Sequence, residues 1–238
     1  MTTAARPVSA TGRFTDASRV HTSVLAQAEK TALVWLAWRL PGWVNSDHLT
    51  ALALAAMLGA GLSYWLSSVT PAGLVLVVVC LILNWFGDSL DGTLARVRNQ
   101  QRPRYGFYVD HVVDALGAAL LLGGLGLSGY MSPMVAALLT AAYLLLLVEV
   151  FLATHSIGTF TMSYFKVGPT ELRIILAIGT LTLWFHPRTE ILGRQFLLFD
   201  VGGAIATIGL VVTFLVSAFV NTRALYLAEP LPTRVDGR

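Results

Sequence analysis

Long apolar segments dominate the chain and constrain its fold more than any other feature. A helix needs about 20 predominantly apolar residues to cross a bilayer, and six stretches reach roughly that length. They lie near residues 48–68, 73–97, 107–128, 131–154, 170–187 and 200–222. Because 55% of the residues are hydrophobic and only 12% are charged, an ordinary water-soluble domain is excluded. The sequence therefore predicts an all-α integral membrane protein with six transmembrane helices.

An amphipathic stretch, residues 22–40, precedes the first predicted span. On a helix its apolar side chains share one face. These side chains are Val24, Leu25, Ala28, Ala32, Trp35 and Leu36. Glu29, Lys30 and Arg39 lie elsewhere on the same helix. We expect this helix to lie along the membrane surface. The alternative is a soluble helix packed on a partner domain, but the sequence contains no second domain.

The chain is expected to have four parts. Residues 1–21 lack the apolar core of a signal peptide, and we expect a disordered cytosolic tail there. Residues 22–40 form the interfacial helix, residues 41–225 form the six-span domain, and residues 226–238 form a second cytosolic tail.

The positions of the basic residues predict how the chain crosses the membrane. The loop between the second and third spans carries Arg98, Arg102 and Arg104, whereas the loops near 67–72 and 128–133 carry no Lys or Arg. Loops rich in Lys and Arg stay in the cytoplasm. With six spans both termini are then cytoplasmic, and we expect a multi-pass protein of a bacterial inner membrane.

The net charge and the cysteine content exclude two further features. The net charge is only +3, and the basic residues lie beside apolar segments without a nucleic-acid-binding motif, so we expect no nucleic-acid partner. Cys80 is the only cysteine in the chain, which excludes an internal disulfide.

Four aspartates lie at the cytoplasmic edges of the second and third spans. Asp88 and Asp91 are three residues apart, and Asp110 and Asp114 are four apart, so each pair shares one face of a helix. Four carboxylates partly immersed in a membrane cost on the order of 10 kcal/mol if nothing compensates them. Oxygen ligands of this kind suit Mg²⁺, Mn²⁺ or Ca²⁺, and two such ions balance four carboxylates. The alternative is that these side chains cap helices and face water.

Eight residues around the aspartates match a longer pattern. The pattern D-x-x-D-G-x-x-A-R, followed after a spacer by G-x-x-x-D-x-x-x-D, is filled by Asp88, Asp91, Gly92, Ala95, Arg96, Gly106, Asp110 and Asp114. It closely resembles the signature of the CDP-alcohol phosphotransferase family, also called CDP-alcohol phosphatidyltransferases. The spacer, residues 97–105, is about one residue longer than expected for the family. It falls in a loop, where an insertion costs little free energy.

The resemblance implies a reaction and its partners. Similar enzymes transfer a substituted phosphate group from a CDP-alcohol to an acceptor alcohol and release CMP in phospholipid biosynthesis. The favoured donor is CDP-diacylglycerol, while transfer of a CDP-linked small head group onto diacylglycerol remains open. The resemblance also implies a two-metal site for Mg²⁺ or Mn²⁺ and a homodimer in the lipid bilayer.

The resemblance further assigns roles to individual residues. The implied metal ligands are Asp88, Asp91, Asp110 and Asp114. Asp114 is also the implied catalytic residue, the general base that takes the hydroxyl proton. The implied nucleotide contacts are Gly92, Ala95, Arg96 and Gly106. Small side chains let the nucleotide approach the backbone and Arg96 can bind phosphate, although small residues at this spacing also mark helix packing.

The acceptor site is less defined by the sequence. Lys166, Glu171 and Arg173 lie at the cytoplasmic mouth of the fifth predicted span. The Lys/Arg pair can recognise a phosphorylated alcohol. An equal alternative is anchoring at the inner leaflet, with a Glu171/Arg173 pair capping the helix. Glycerol 3-phosphate, inositol phosphate, serine and another lipid all remain open as acceptors.

A cation transporter or channel is the main alternative function, because acids inside a membrane also mark ion paths. An ion path needs polar residues across the whole membrane, but the outer halves of the second and third spans are almost purely apolar. An inactive relative that only binds nucleotide or lipid is a third possibility. The complete set of four aspartates argues against it.

Overall fold

The computed structural model describes residues 18–20, 26–157, 159–161 and 168–229. In this part of the chain seven helices carry most of the residues. They are α1 (Ala26–Ala37), α2 (Ser46–Ser67), α3 (Ala72–Val97), α4 (Pro103–Leu127), α5 (Pro133–Ile157), α6 (Pro169–Leu183) and α7 (Leu198–Ala228). Four short strands accompany them: β1 (Ser18–Val20), β2 (Thr159–Thr161), β3 (Arg188–Ile191) and β4 (Arg194–Leu197).

The strands form two small ladders outside the helical bundle. β1 and β2 pair in parallel, and β3 and β4 form an antiparallel hairpin between α6 and α7. Gly193, in the hairpin turn, has a φ of +74°, which glycine adopts without steric cost. β1 lies within the predicted N-terminal tail. The other residues of that tail, and residues 230–238 of the C-terminal tail, lie outside the described residues.

Five of the described helices are long and apolar enough to cross a membrane: α2, α3, α4, α5 and α7. The protein is therefore a multi-pass integral membrane protein built from α-helices, as the composition predicted. The fifth predicted span, 170–187, forms the 15-residue α6 (Pro169–Leu183) and is not among these five. At 1.5 Å per residue this helix is about 22 Å long, shorter than the roughly 30 Å hydrocarbon core.

The helices α2 to α7 alternate in direction between two ends of the bundle. At the proximal end, where α2 begins, Ser46 donates a hydrogen bond to the carbonyl oxygen of Asp91 near the end of α3. At the distal end, the backbone N–H of Ser132 just before α5 donates to Asp200 in the first turn of α7 (2.6 Å). The consequence is that the α3–α4 connection and the start of α6 share the proximal end.

Small residues allow α2 to pack closely against α3 and α4. A methyl group at Gly124 of α4 would lie 2.0 Å from the carbonyl oxygen of Gly61 in α2. A methyl group at Gly87 of α3 would lie 2.5 Å from the carbonyl oxygen of Leu49. Both distances are far below van der Waals contact, so these helices touch backbone to backbone, as small residues permit in membrane bundles.

A polar pair joins α5 to α7 inside the bundle. Asn221 Nδ2 donates a hydrogen bond to Glu149 Oε1 at 2.7 Å, and Glu149 is only 7% exposed. Its second oxygen, Oε2, has no hydrogen-bond partner among the described residues. This contact fixes the relative rotation of two otherwise apolar helices.

The N-terminal helix α1 packs against α3 mainly through residues outside its predicted membrane-facing stripe, and Leu36 of that stripe packs there as well. Leu33 and Ala37 are buried in a cluster with Leu90 and Leu94 of α3, whereas Trp35 of the predicted apolar face is 54% exposed. Ala32 of that face is exposed as well. The residues 22–25 of the predicted helix lie outside the described residues. Part of the predicted stripe is thus exposed, and its contact with the membrane surface stays a prediction.

We predict that Gly124→Ala destabilises the protein, whereas its neighbour Gly123→Ala does not. The methyl group at position 124 would overlap the Gly61 backbone, and overpacking of this kind costs about 1–3 kcal/mol. A methyl group at position 123 meets no atom within 4 Å, and alanine favours a helix over glycine by roughly 1 kcal/mol.

Thermal unfolding of both variants in detergent measures the difference. Equal melting temperatures for Gly123→Ala and Gly124→Ala would contradict the close contact between α2 and α4.

Candidate metal and active site

Three aspartates from two neighbouring helices converge near the proximal end of the bundle. Asp88 of α3 and Asp110 and Asp114 of α4 each place a carboxylate oxygen within 4.8 Å of the others. All three side chains are half-buried. Asp110 and Asp114 are one helical turn apart and so share a face. α3 and α4 both pack against α2, and this shared packing brings Asp88 opposite them.

This set of ligands fits a divalent metal ion. Carboxylate oxygens are the ligands that Mg²⁺ and Mn²⁺ prefer, and the observed spacing suits carboxylates that share one ion or bridge two. Three like charges this close repel one another unless a cation lies between them. These three aspartates could therefore hold the metal that the sequence predicts.

The fourth predicted ligand, Asp91, makes different contacts. Its Oδ2 accepts a hydrogen bond from the Thr50 hydroxyl of α2 at 2.6 Å, and its Oδ1 accepts one from the backbone N–H of Gly92. The Asp91 residue is 9% exposed. In this structure Asp91 therefore ties α3 to α2 beside the cluster, and its carboxylate lies outside the group of three.

Arg173 of α6 supplies a positive charge to the cluster. Its Nη2 donates to Asp88 Oδ2 at 2.5 Å, and its Nε donates to Asn84 Oδ1 at 2.7 Å. Asn84 in turn donates from Nδ2 to the backbone oxygen of Ala53 (3.1 Å). Nη1 of Arg173 is buried and has no hydrogen-bond partner among the described residues. An unpaired buried donor is costly, and an anionic ligand oxygen would satisfy it.

Of the other two residues predicted for the acceptor site, the structure describes Glu171. Glu171 Oε2 accepts a hydrogen bond from the backbone N–H of Gly168 at 3.0 Å and so caps the start of α6. This agrees with the helix-capping alternative for Glu171, whereas Arg173 binds Asp88 of the cluster. Lys166 lies outside the described residues.

A cavity of about 420 Å³ lies at the proximal ends of α2 and α3. Its lining consists of Asn45, Ser46, Asp47, Leu94, Ala95, Gln100, Gln101 and Arg102. Within the described part of the chain Ala95 is the one predicted nucleotide contact that lines it. Gly92 and Gly106 are open positions, since a methyl group at Gly106 meets nothing within 4 Å and one at Gly92 meets only the Arg96 side chain at 3.6 Å. Arg96 Nη2 donates to the Thr93 hydroxyl (3.0 Å).

An ion pair marks the rim of this cavity. Arg102 donates a hydrogen bond to the Asp47 carboxylate and lies over the Tyr105 ring, with its Cζ 4.2 Å from the ring centroid. The hydrogen bond to Asp47 raises the pKa of the Arg102 guanidinium, so this group stays charged. The sequence pointed to Arg102 only as a topology signal. Arg102 ends a polar loop, 99–102, and nothing in that sequence predicted that it would line a cavity.

The start of α2 forms the opposite wall. Asn45 Oδ1 accepts from the backbone N–H of His48 at 2.9 Å, and His48 Nδ1 accepts from the backbone N–H of Asn45 at 3.3 Å. This reciprocal cap satisfies two backbone donors at the helix start. It orients the first turn of α2 so that Thr50, one turn on, reaches Asp91.

Two further residues near the cluster were not identified from the sequence. Asn84 is buried and binds Arg173, and Tyr143 of α5 lies near Asp114, Asp88 and Arg173. A polar residue inside an apolar span is the signal that could have pointed to Asn84. For Tyr143 the sequence carries no such signal, because tyrosine is common in membrane helices.

The comparison with known proteins agrees with this geometry. A family model described as CDP-alcohol phosphatidyltransferase matches residues 43–220 of the 238. This range contains all four aspartates, the described acceptor residues and the cavity. No curated protein is significantly similar in sequence. The chain therefore belongs to the CDP-alcohol phosphatidyltransferase family, whose members are enzymes that transfer phosphate-alcohol groups in phospholipid synthesis.

Proposed function

We propose that this enzyme transfers a substituted phosphate group from CDP-diacylglycerol to an acceptor alcohol and releases CMP. The observation that carries the proposal is the convergence of Asp88, Asp110 and Asp114 beside the Arg173 guanidinium. A site of this kind can hold a metal ion and an anionic substrate together, which phosphoryl transfer from a charged diphosphate requires.

The metal requirement follows from the family and the ligands. The family generally depends on a divalent metal, and we propose Mg²⁺ or Mn²⁺ in a two-metal site. Asp88, Asp110 and Asp114 would hold the ions, and Asp91 would join them by exchanging its hydrogen bond from Thr50 for a metal contact. Bound metal would offset the charge of the diphosphate and of the departing CMP.

Asp114 is proposed as the general base. It lies one turn further along α4 than Asp110, about 6 Å deeper into the bundle, beside Tyr143 and Arg173. The acceptor hydroxyl oxygen attacks the phosphorus that carries the alcohol, and Asp114 takes the hydroxyl proton. The bond from this phosphorus to the CMP oxygen breaks, and CMP leaves with the electron pair.

The cavity beside Ala95 is proposed as the nucleotide site. Its volume of about 420 Å³ lies within the usual range for small-molecule pockets, roughly 300–1,000 Å³. Gly92 and Gly106 would leave room for the diphosphate between the cavity and the aspartates. Arg96 would contribute positive charge to the phosphates.

Arg173 is proposed to bind the acceptor side of the reaction. Its unpaired Nη1 suits an oxygen of a phosphorylated alcohol, because guanidinium groups bind phosphate in a bidentate manner. Lys166 and Glu171 would complete this site, Lys166 by charge and Glu171 by capping the helix that carries Arg173.

We further propose six membrane crossings with the active site and both termini on the cytoplasmic side of a bacterial inner membrane. α6 is short, but it connects the two ends of the bundle: Arg173 binds Asp88 near the proximal end, and the Thr180 hydroxyl lies 2.6 Å from the Tyr64 hydroxyl towards the distal end. The arginine-rich loop at the proximal end supports a cytoplasmic location.

A homodimer is proposed for the lipid-facing side of α4 and α5. A groove of about 440 Å³ between these helices is lined by small residues that include Gly123, Gly126 and Ala137. Grooves of this kind let a helix of a second copy approach closely.

We predict that Asp114→Asn abolishes turnover and leaves the fold intact. Asparagine keeps the size of the side chain but cannot accept the hydroxyl proton, and general-base catalysis contributes about 10²–10⁴-fold to the rate. Release of CMP from CDP-diacylglycerol, with magnesium and a panel of alcohols, measures turnover.

Asp200→Asn is the matched control, because Asp200 lies at the distal end and the amide keeps the oxygen that accepts from Ser132. This control should retain full activity. A fully active Asp114→Asn enzyme would show that the role proposed for Asp114 is wrong.

We predict that the double variant Asp88→Asn/Asp110→Asn binds Mn²⁺ at least tenfold more weakly than the parent protein. Removal of two of three anionic ligands weakens the attraction for a hard cation. Isothermal titration calorimetry with Mn²⁺ alone measures the affinity without reference to turnover. Unchanged affinity would contradict the metal site, and metal-driven ion flux in liposomes without CMP release would favour a cation transporter instead.

A further inference from the structure

Glu29 of α1 forms a polar contact with two other helices. Its Oε1 accepts three hydrogen bonds, from Trp85 Nε1 at 2.8 Å, from the Ser89 hydroxyl at 3.3 Å and from the Thr170 hydroxyl at 2.7 Å. Trp85 and Ser89 lie on α3, and Thr170 lies in the first turn of α6. One carboxylate oxygen thus joins α1, α3 and α6, and we call this contact the Glu29 node.

The Glu29 node lies beside the catalytic cluster along both helices. Ser89 directly follows Asp88 on α3, and Thr170 precedes Arg173 by three residues, so it lies on the same side of α6. The Asp88–Arg173 ion pair crosses the same α3–α6 interface, one turn further along α6 than Thr170. Two polar contacts therefore join α3 to α6. One runs through Glu29, which binds both helices, and the other is the direct Asp88–Arg173 ion pair.

α6 depends on this interface more than the other helices of the site do. α3 and α4 contact α2 through backbone-to-backbone packing and through the Asp91–Thr50 hydrogen bond. The first turn of α6 is bound to α1 through the Thr170–Glu29 hydrogen bond, and Arg173, one turn later, is bound to Asp88 and Asn84 of α3. A shift of α6 would move Arg173 while the aspartates on α3 and α4 stayed in place.

We propose that Glu29 is a positioning residue that holds α6 so that Arg173 reaches the acceptor substrate. This inference rests on the proposed function, in which Arg173 binds the acceptor side. It assigns to α1 a role in acceptor affinity in addition to any contact with the membrane surface. The donor site lies on α2, α3 and α4, where α3 is also held by α2, so we expect Glu29 to affect acceptor affinity much more than donor affinity.

The geometry of the node makes the acceptor oxygen its essential feature, and the carboxylate charge strengthens the bonds without being required for them. All three donors are neutral groups, and all three bind the same atom, Oε1. Glutamine offers an equivalent carbonyl oxygen on a side chain of equal length. Leucine has similar bulk but no acceptor, and it leaves three donors without their partner.

The test compares Glu29→Leu with Glu29→Gln in the full-length protein. We expect Glu29→Leu to raise the KM for the acceptor about tenfold, since small misplacements of a binding group carry large kinetic costs. The KM for CDP-diacylglycerol should change less than twofold. Glu29→Gln should stay within threefold of the parent for both substrates. The acceptor probe is glycerol 3-phosphate, or the first alcohol of the panel that supports CMP release.

Two further variants complete the kinetic test. Thr170→Val removes one donor to Glu29 at constant shape and should raise the acceptor KM about threefold, which keeps the inference testable if Glu29→Leu does not fold. Lys30→Ala alters the exposed neighbour of Glu29 and should leave both KM values unchanged.

A second readout does not depend on turnover. Amide hydrogen exchange should become at least tenfold faster for residues 172–176 of α6 in Glu29→Leu, and remain unchanged for residues 110–120 of α4. Glu29→Gln should restore the slow exchange of α6.

The outcomes separate this inference from the proposed function. Unchanged α6 exchange in Glu29→Leu, an equal rise of both KM values, or a Glu29→Gln variant as impaired as Glu29→Leu would overturn the positioning role and leave the transferase reaction in place. No release of CMP by the parent protein would overturn the proposed function, while faster exchange of α6 would still support the Glu29 node as the contact that holds α6.

Discussion

The stabilisation of carboxylates inside an apolar helical bundle is the constraint on which the rest of this structure depends. Each carboxylate at the membrane centre costs roughly 2.5–3.5 kcal/mol on insertion scales, and Asp88, Asp110 and Asp114 lie together at the proximal end. The Arg173 guanidinium forms an ion pair with Asp88 at 2.5 Å. Three carboxylates gathered in one place favour a divalent cation, and a bound cation would in turn favour an anionic diphosphate.

Close packing around α2 sets the positions of these charged groups. α2 contacts α3 at Gly87 and α4 at Gly124, where no side chain separates the backbones. Asp91 adds a polar link between α3 and α2 through Thr50. The helices that carry the cluster are thus fixed by contacts that tolerate little change in distance. α1 and α6 pack on the outside of this group through apolar side chains and hydrogen bonds, and we expect substrate-dependent adjustment to be greatest there.

Much of the site was predictable because its residues are close in sequence. The spacing of the aspartate pairs predicted their helical faces, and the family that the motif indicated is confirmed. Other features depend on partners that are distant in sequence. Glu29 was predicted only to lie off the membrane-facing stripe of α1, because its partners Trp85 and Thr170 are 56 and 141 residues away. The contact of Asp91 with Thr50, 41 residues away, was equally hidden. The cavity beside Ala95 is lined mostly by residues outside the aspartate motif, so the sequence did not predict it.

The sequence by itself determined the family of the protein and its all-α membrane class, and it predicted the chemistry of its site. Hydrophobic length and short-range spacing are local properties, and the helix geometry converts them directly into spans and faces. The tertiary structure alone decided which three carboxylates meet, that Arg173 binds Asp88, and that α1 joins α3 and α6 through Glu29. Those outcomes depend on helix separations of a few ångströms, which arise from packing between distant segments and leave no periodic trace in the chain.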